Sequence, residues 1–362
     1  MPTIAIDAMG ADAAPRVEVE GIVSAIRGKQ IDGSDVILVG DEARVRAELG
    51  ALGAGAEGIR VAHAPDVITM HDAPSMAVKQ KKKSSMRMCF DLVKAGQADA
   101  VVSAGNSGAM MACGLLVLGR LPGVDRPAIV TTFPTKAGEC ALLDMGANVD
   151  PKPSVLAQFA VLGSVYARLL HGKERPKVGL LSNGSEEHKG TALTRDANQL
   201  LGRASRGNAA AAFDYLGYVE GRDIFKGEVD VVVTDGFTGN IVLKTAEGTA
   251  EAILDMVRAE VQRGGPLAKL GAALMTSALR RLKRRTDYAE HGGAPLLGVD
   301  GVALICHGGS NAKAIKNAAL VAHRFAQIGL GKELASAIGR HAFLWEPVLG
   351  GAGGAAAADG MS

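Results

Sequence analysis

The sequence predicts an α/β fold, a parallel-rich sheet layered between helices, and three observations carry that prediction. Short apolar runs alternate with helical patterns along the whole chain. Several of those runs end in a loop rich in Gly, Asn, Ser and Asp that leads straight into a helix start. A length of 362 residues, 48% hydrophobic and 22% charged, describes a soluble globular chain with room for a substantial core.

Strand patterns fall at 4–7, 36–39, 59–63, 100–103, 128–132, 141–144, 178–182, 229–234 and 302–307. Helical patterns fall between them, notably at 15–27, 85–94, 153–170, 191–203 and 311–328. The run Val229, Val231, Val232, Val233 has the continuous apolar character of a strand covered on both faces. A single unit over 1–340 is expected, with Pro176 in 173–177 marking a candidate boundary between two lobes. No repeat appears at solenoid or propeller periods. The end, GGAGGAAAADGMS over 350–362, has nothing with which to build a core and is expected to be a disordered tail.

The polar loops are the chemical signal. VDVVVTDGFTGNIVLKT (229–245) runs a strand into Gly236 and Gly239, whose bare backbones admit a ligand, and then into a helix whose first amides favour an anion. It matches neither GxxxxGK[ST] nor GxGxxG, so it points to neither a nucleoside triphosphate nor a dinucleotide, and alone it is equally a plain strand-to-helix turn. The design recurs in IAIDAMGAD with Asp7, Gly10 and Asp12, in VVSAGNSGAMMA, in VGLLSNGSEEHKGTALT, and in VALICHGGSNAKAI with His307, Ser310 and Asn311. In a parallel sheet such loops emerge at the carboxyl ends of the strands, so convergence of all five on one site is expected.

Other classes fare poorly. A formal charge of +2 and 4% aromatic residues, with none interleaved among basic ones, argue against nucleic acid. Cys89, Cys113, Cys140 and Cys306 lie far apart, which favours reduced core thiols in a cytoplasmic protein over a zinc site or a disulfide framework. Neither an export signal nor a run of about 18 apolar residues is present, so no spanning helix is expected.

One segment departs from the alternation. Between Arg258 and Arg285 basic residues crowd together with Glu260 as the one acid, and Leu267, Leu270, Leu274 and Leu282 recur at helical spacing. A basic face beside an apolar stripe suits an anionic membrane surface. It also suits an acidic carrier protein, or a helix packed on its own core or on a second copy.

The motifs IAIDAMGAD, KKKSSM, VVSAGNSGAMMA, LLDMGANVD, LSNGSEEHKGTALTRDA, FKGEVDVVVTDGFTGNIVLKTAEG and YAEHGGAPLLGVDGVALICHGGSNAKAIKNA occur in this order, and with them the chain resembles the bacterial acyl-acyl carrier protein:phosphate acyltransferases of phospholipid synthesis over 4–328. Departures are small: the family usually reads GGD at Gly10–Asp12, an Asp at Lys83, and HGSS at His307–Ser310. The resemblance implies a fold like isopropylmalate dehydrogenase and phosphate acetyltransferase, a homodimer, and peripheral membrane association through 258–285. It also implies attack of inorganic phosphate on a long-chain acyl-carrier thioester, with the acyl phosphate passed to a glycerol-3-phosphate acyltransferase. Phosphate is already a nucleophile, so the enzyme's task is to orient it and stabilise the oxyanion; no metal and no cofactor are expected. GxSxG is absent, and Cys306 reads as a core thiol rather than an acyl carrier.

Carried over residue by residue, Asn106, Ser107 and Gly108 are expected to hold phosphate or the acyl carbonyl. Asp235, Gly236, Thr238, Gly239 and Asn240 are expected to form the facing loop, with Lys244 one turn inside the helix. Lys189, between Glu187 and Gly190, is expected to neutralise phosphate and oxyanion, although a solvated loop lysine reads the same. Asp7, Asp12, Asp144, Asn148 and Asp235 either position hydrogen bonds or cap turns. His307 is a candidate general acid for the departing thiol, or a capping histidine; His71, His188 and His291 lie in polar loops. Lys79, Lys81, Lys82 and Lys83 either greet phosphate or the carrier, or form a solvated helix face. Two other readings stay open: short-chain transfer with coenzyme A thioesters, and a non-catalytic carrier-protein or lipid sensor.

Overall fold

The computed structural model describes residues 1–53, 58–205, 211–278 and 292–346. Leu282, His291 and the tail 350–362 lie outside them. The strands are β1 (Ile4–Asp7), β2 (Val36–Gly40), β3 (Arg60–His63), β4 (Ala100–Ser103), β5 (Ala128–Thr135), β6 (Gly138–Leu143), β7 (Lys177–Leu181), β8 (Asp214–Val219), β9 (Val231–Val233), β10 (Ala294–Leu297) and β11 (Val302–Ile305). The helices are α1 (Arg16–Arg27), α2 (Glu42–Leu52), α3 (Pro74–Gln80), α4 (Ser85–Lys94), α5 (Ser107–Cys113), α6 (Pro153–His171), α7 (Ala192–Ser205), α8 (Gly236–Arg263), α9 (Gly265–Leu274), α10 (Ala312–Gln327) and α11 (Leu330–Arg340). The expected strands and helices are present within a few residues of their ends; β8 and β10 are additional.

Among the described residues eleven strands form one sheet, in the order β3-β2-β1-β4-β11-β10-β5-β6-β9-β7-β8. β1, β4 and β9 are buried along their whole lengths, as the continuous apolar runs require of strands covered on both faces. α6 is long and apolar enough to span a membrane by composition alone, but it is the central core helix of one layer, sealed from Val155 to Ala167. The segment 173–177 is the turn from α6 into β7, where Lys173 pairs with Asp230 at 3.0 Å.

Strand direction corrects one expectation. β3, β2, β1, β4 and β11 run parallel, but β10 is antiparallel to both β11 and β5, and β5 is antiparallel to β6. β6, β9, β7 and β8 are parallel to one another and therefore point opposite to the first set. Ala294 at the start of β10 pairs with Ile305 at the end of β11, whereas Leu297 at its end pairs with Ala128, where β5 begins beside the end of β6. The five polar loops thus do not meet at one edge. They divide between two opposite edges of the sheet.

Candidate active site

The first cluster sits at the carboxyl ends of β1, β4 and β11, which are neighbours in the sheet. Asn106 caps α5 by accepting the Ala109 amide at 3.0 Å, and Asn311 caps α10 by accepting the Ala314 amide at 3.0 Å. Two adjacent strands therefore deliver two helix N-termini to the same edge. The Ser107 and Gly108 amides precede the first intrahelical donor, the Met110 amide, and carry the positive end of the helix dipole. Gly10 must be bare, because a Cβ there would stand 2.8 Å from the Gly105 nitrogen and 3.0 Å from Asp7 Oδ2. The Asp12 amide donates to the Gly308 carbonyl at 2.9 Å, tying the β1 loop to the β11 loop.

Asp7 is nearly sealed and works inside the fold. Its Oδ2 accepts from Ser103 Oγ at 2.6 Å and its Oδ1 from the Met9 amide at 3.2 Å, while Ser103 Oγ accepts the Gly105 amide at 3.0 Å. Burial pushes its carboxyl above the usual range against hydrogen bonds from Ser103 and Ser85. Beneath it lies Glu18, a fully buried carboxyl whose Oε1 accepts the Ala11 amide at 2.8 Å and whose burial pushes it up to about 8. Sequence reading missed Glu18; the available signal was its place beside Val19 and one turn from Ile22 on the buried face of α1.

His307 is exposed, and its Nδ1 accepts the Gly309 amide at 3.1 Å. Ser310 is buried behind it, its amide bonded to the His307 carbonyl at 2.9 Å. The segment between β3 and α3 forms a strap over this edge. Asn106 Nδ2 donates to the carbonyls of Thr69, Met70 and Asp72 at 3.2, 3.4 and 3.3 Å. Lys81 Nζ holds the same strap through Asp72 at 2.6 Å and the Val67 carbonyl at 3.0 Å, and that ammonium keeps the Asp72 carboxyl below its usual range. Lys81 is therefore an internal strut, whereas Lys79, Lys82 and Lys83 are exposed; His71 is exposed on the strap.

The second cluster sits at the carboxyl ends of β6, β9 and β7, again neighbours. Asp144 is sealed and accepts from the Ile129, Ala147 and Asn148 amides at 3.0, 3.2 and 2.6 Å. Asn148 Nδ2 joins it to the Pro127 carbonyl at 2.7 Å. Burial nonetheless pushes the Asp144 carboxyl up. Asp235 caps α8 through Thr238, accepting from its amide and its hydroxyl at 2.8 Å each. A Cβ on Gly236 would meet the Asn148 carbonyl and Asp144 Oδ2 at 2.8 Å, and one on Gly239 would overlap the Asp144 carbonyl, so both glycines are demanded by close packing of loops. Asn240 faces Gly146 across this turn. Lys244 lies on the exposed face of α8, paired with Glu247 at 2.8 Å.

Lys189 belongs to this second group. Its loop folds on itself: the Lys189 amide reaches the Glu186 carbonyl at 2.9 Å, and the Gly190 amide reaches Asn183 Oδ1 at 3.0 Å. Gly190 has φ +85°, a conformation that suits glycine, and a Cβ there would strike Thr194 Oγ1. Glu187 and His188 point to solvent, while Lys189 is half-buried. Among the described residues no hydrogen bond or ion pair joins the two clusters, and no group of acidic, His and Cys side chains has the makings of a metal centre. Cys306 is buried at the end of β11 in the first cluster, its amide on the Ser103 carbonyl at 2.8 Å and its thiol pushed up by burial to about 12, which leaves no thiolate near neutral pH.

A model of the family described as "Fatty acid synthesis protein" matches residues 2–332. The phosphate acyltransferase of Geobacter sulfurreducens is 54% identical over 332 residues, covering 92% of this chain and 93% of that protein. That of Trichlorobacter lovleyi is 53% identical over 332 residues with the same coverage. The chain belongs to the phosphate acyltransferases. It is an acyltransferase. Among solved structures, the EutD phosphotransacetylase of Staphylococcus aureus aligns with TM-score 0.57 at 17% identity, over 90% of this chain and 94% of that one. A phosphotransacetylase of Streptococcus pyogenes aligns with TM-score 0.57 at 18% identity and the same coverage. These two likenesses show the phosphate acetyltransferase-like fold.

The basic amphipathic segment takes a different form from the single helix expected. α8 runs on through Arg258 to Arg263, breaks at Gly264 and Gly265, and is followed by α9. Leu267, Leu270 and Leu274 are 84%, 60% and 78% exposed, so within this chain they do not pack on the core. Further back on α8, Phe237, Ile241, Ile253, Met256 and Val257 are also exposed.

Proposed function

We propose that the protein transfers a long-chain acyl group from acyl-acyl carrier protein to inorganic phosphate, giving an acyl phosphate for phospholipid synthesis. The observation that carries this reading is the pairing of two helix N-termini, at Asn106 and Asn311, after adjacent strands, with the exposed His307 on the loop between β11 and the second of them. Amides of the α5 start bind phosphate and place an oxygen against the thioester carbonyl. Attack by hydrogen phosphate forms the new O–C bond and a tetrahedral oxyanion, which collapses with loss of the carrier sulfur; the proton given up by the phosphate passes to that sulfur with His307 at the rim of the site to carry it, leaving the acyl phosphate and the free thiol. The buried, protonated Cys306 thiol supports direct transfer over an acyl-enzyme.

Lys189 and Asp235 enter through a homodimer. The two clusters occupy opposite edges of one chain's sheet, which supports a role for Lys189 at a phosphate in the first cluster of a second copy rather than of its own chain. The exposed apolar residues of α8 offer the face on which that copy packs. The catalytic unit spans 1–340. It acts in the cytoplasm at the membrane surface, where α9 inserts its leucines and the basic residues meet anionic lipid. There it hands an insoluble acyl phosphate to a glycerol-3-phosphate acyltransferase. The reading is tested by comparing phosphate-dependent thiol release from palmitoyl-acyl carrier protein with release from palmitoyl- and acetyl-coenzyme A. Preference for the acetyl thioester would replace it with short-chain transfer.

A further inference from the structure

We propose that the exposed surface formed by Met76 and Lys79 of α3 with Lys82 and Lys83 just beyond the helix is the docking surface for the acidic carrier protein that brings the thioester; the proposal rests on the reading of the substrate as carrier-bound. The sequence places four lysines in five positions, and folding sorts them. Lys81 turns inward to Asp72, while Lys79, Lys82 and Lys83 stay exposed and, among the described residues, enter no salt bridge. The Asp66 amide meets the Lys83 carbonyl at 3.4 Å, which ties this end of the segment to the strap. Met76 is 57% exposed and Met70 46%, on α3 and its strap. Exposed methionines on the same segment as unpaired ammonium groups complement a surface that is acidic around a small apolar patch, and such fields steer encounter as well as hold it.

Position favours this patch over the other basic segment. α3 packs directly on α5: a Cβ on Gly108 would stand 2.7 Å from Pro74 Cγ. The strap that α3 anchors is the one held by Asn106. A carrier seated here therefore has its tethered thioester beside the first cluster. Arg258, Arg263 and Lys269 lie on α8 and α9, which rise from the second cluster.

The test is a pair of triple variants, one with Lys79, Lys82 and Lys83 changed to Glu and a milder one with the three changed to Ala, assayed as full-length protein. KM for palmitoyl-acyl carrier protein should rise on the order of tenfold or more in the Glu variant and less in the Ala variant. KM for phosphate, and turnover of a small palmitoyl-pantetheine thioester, should stay near wild type. An unchanged carrier KM in both variants would overturn the proposal, as would a rise produced instead by changing Arg258, Arg263 and Lys269 to Glu. If wild-type protein turns over the pantetheine thioester but not the carrier-bound one, it is the substrate reading that has failed.

Discussion

Ser103 Oγ donates a 2.6 Å hydrogen bond to Asp7 Oδ2, joining the carboxyl ends of β4 and β1 beneath the loops that bear Asn106 and Gly10. Because Asp7 also holds the Met9 amide, Asp7→Ala strands donors in a sealed site. It should lower stability by about 1–3 kcal/mol, read from urea unfolding, and reduce turnover through displacement of both loops. Ser103→Ala should cost less, since it leaves the carboxylate its other partners.

Glu18 gives a pH signature. Burial raises its carboxyl from 4.5 to about 8, so the folded chain keeps a proton that the unfolded chain releases. Its contribution is complete below about pH 4.5 and is lost as pH rises toward 8, on the order of a few kcal/mol. Asp7 and Asp144 shift in the same direction, so the diagnostic quantity is a difference. Glu18→Gln should flatten the fall of stability between about pH 5 and 8 relative to wild type. Parallel curves for the two proteins would show that Glu18 does not titrate in that range.

Much of the fold was legible in the residues, and the limits have physical causes. Continuous Val and Ala runs announced β1, β4 and β9 because strands buried on both faces need no alternation. β10 is four residues, APLL, following two glycines, too short for any period to register. β8 is half exposed along its length and carries Gly217 at φ +87°. The reversal of direction through β10 and β5 leaves no local mark at all, and it is what separates Lys189 from Asn106. The site's polar side chains were legible as residue types, but whether Asp7 or Asp144 meets a ligand or braces a loop depends on partners such as Ser103 and Ile129, which lie far away in sequence.

If Lys189 serves a phosphate bound by a second copy, Lys189→Ala should lose on the order of a hundredfold in rate while remaining folded. Asn106→Ala should be similarly impaired. Mixing the two under conditions that exchange subunits should restore a measurable fraction of wild-type turnover, because a hybrid dimer holds one intact site. Failure of the mixture to recover would place both residues in the same chain's site.

Replacing Leu270 and Leu274 by Glu should release the protein from anionic vesicles and leave soluble turnover and melting temperature largely unchanged, since both leucines are exposed. High salt should weaken vesicle binding only in part, because screening acts on the charges and not on buried leucines. A folded variant that still sediments with vesicles would remove α9 as the anchor.

The most direct measurement is the stoichiometry of the reaction itself. With palmitoyl-acyl carrier protein and inorganic phosphate, the account predicts saturable dependence on phosphate, with one acyl phosphate, trapped as its hydroxamate, for each carrier thiol released, and no acyl adduct on the protein. Thiol release that proceeds without phosphate, or a stable mass increase on the enzyme equal to the acyl chain, would contradict it.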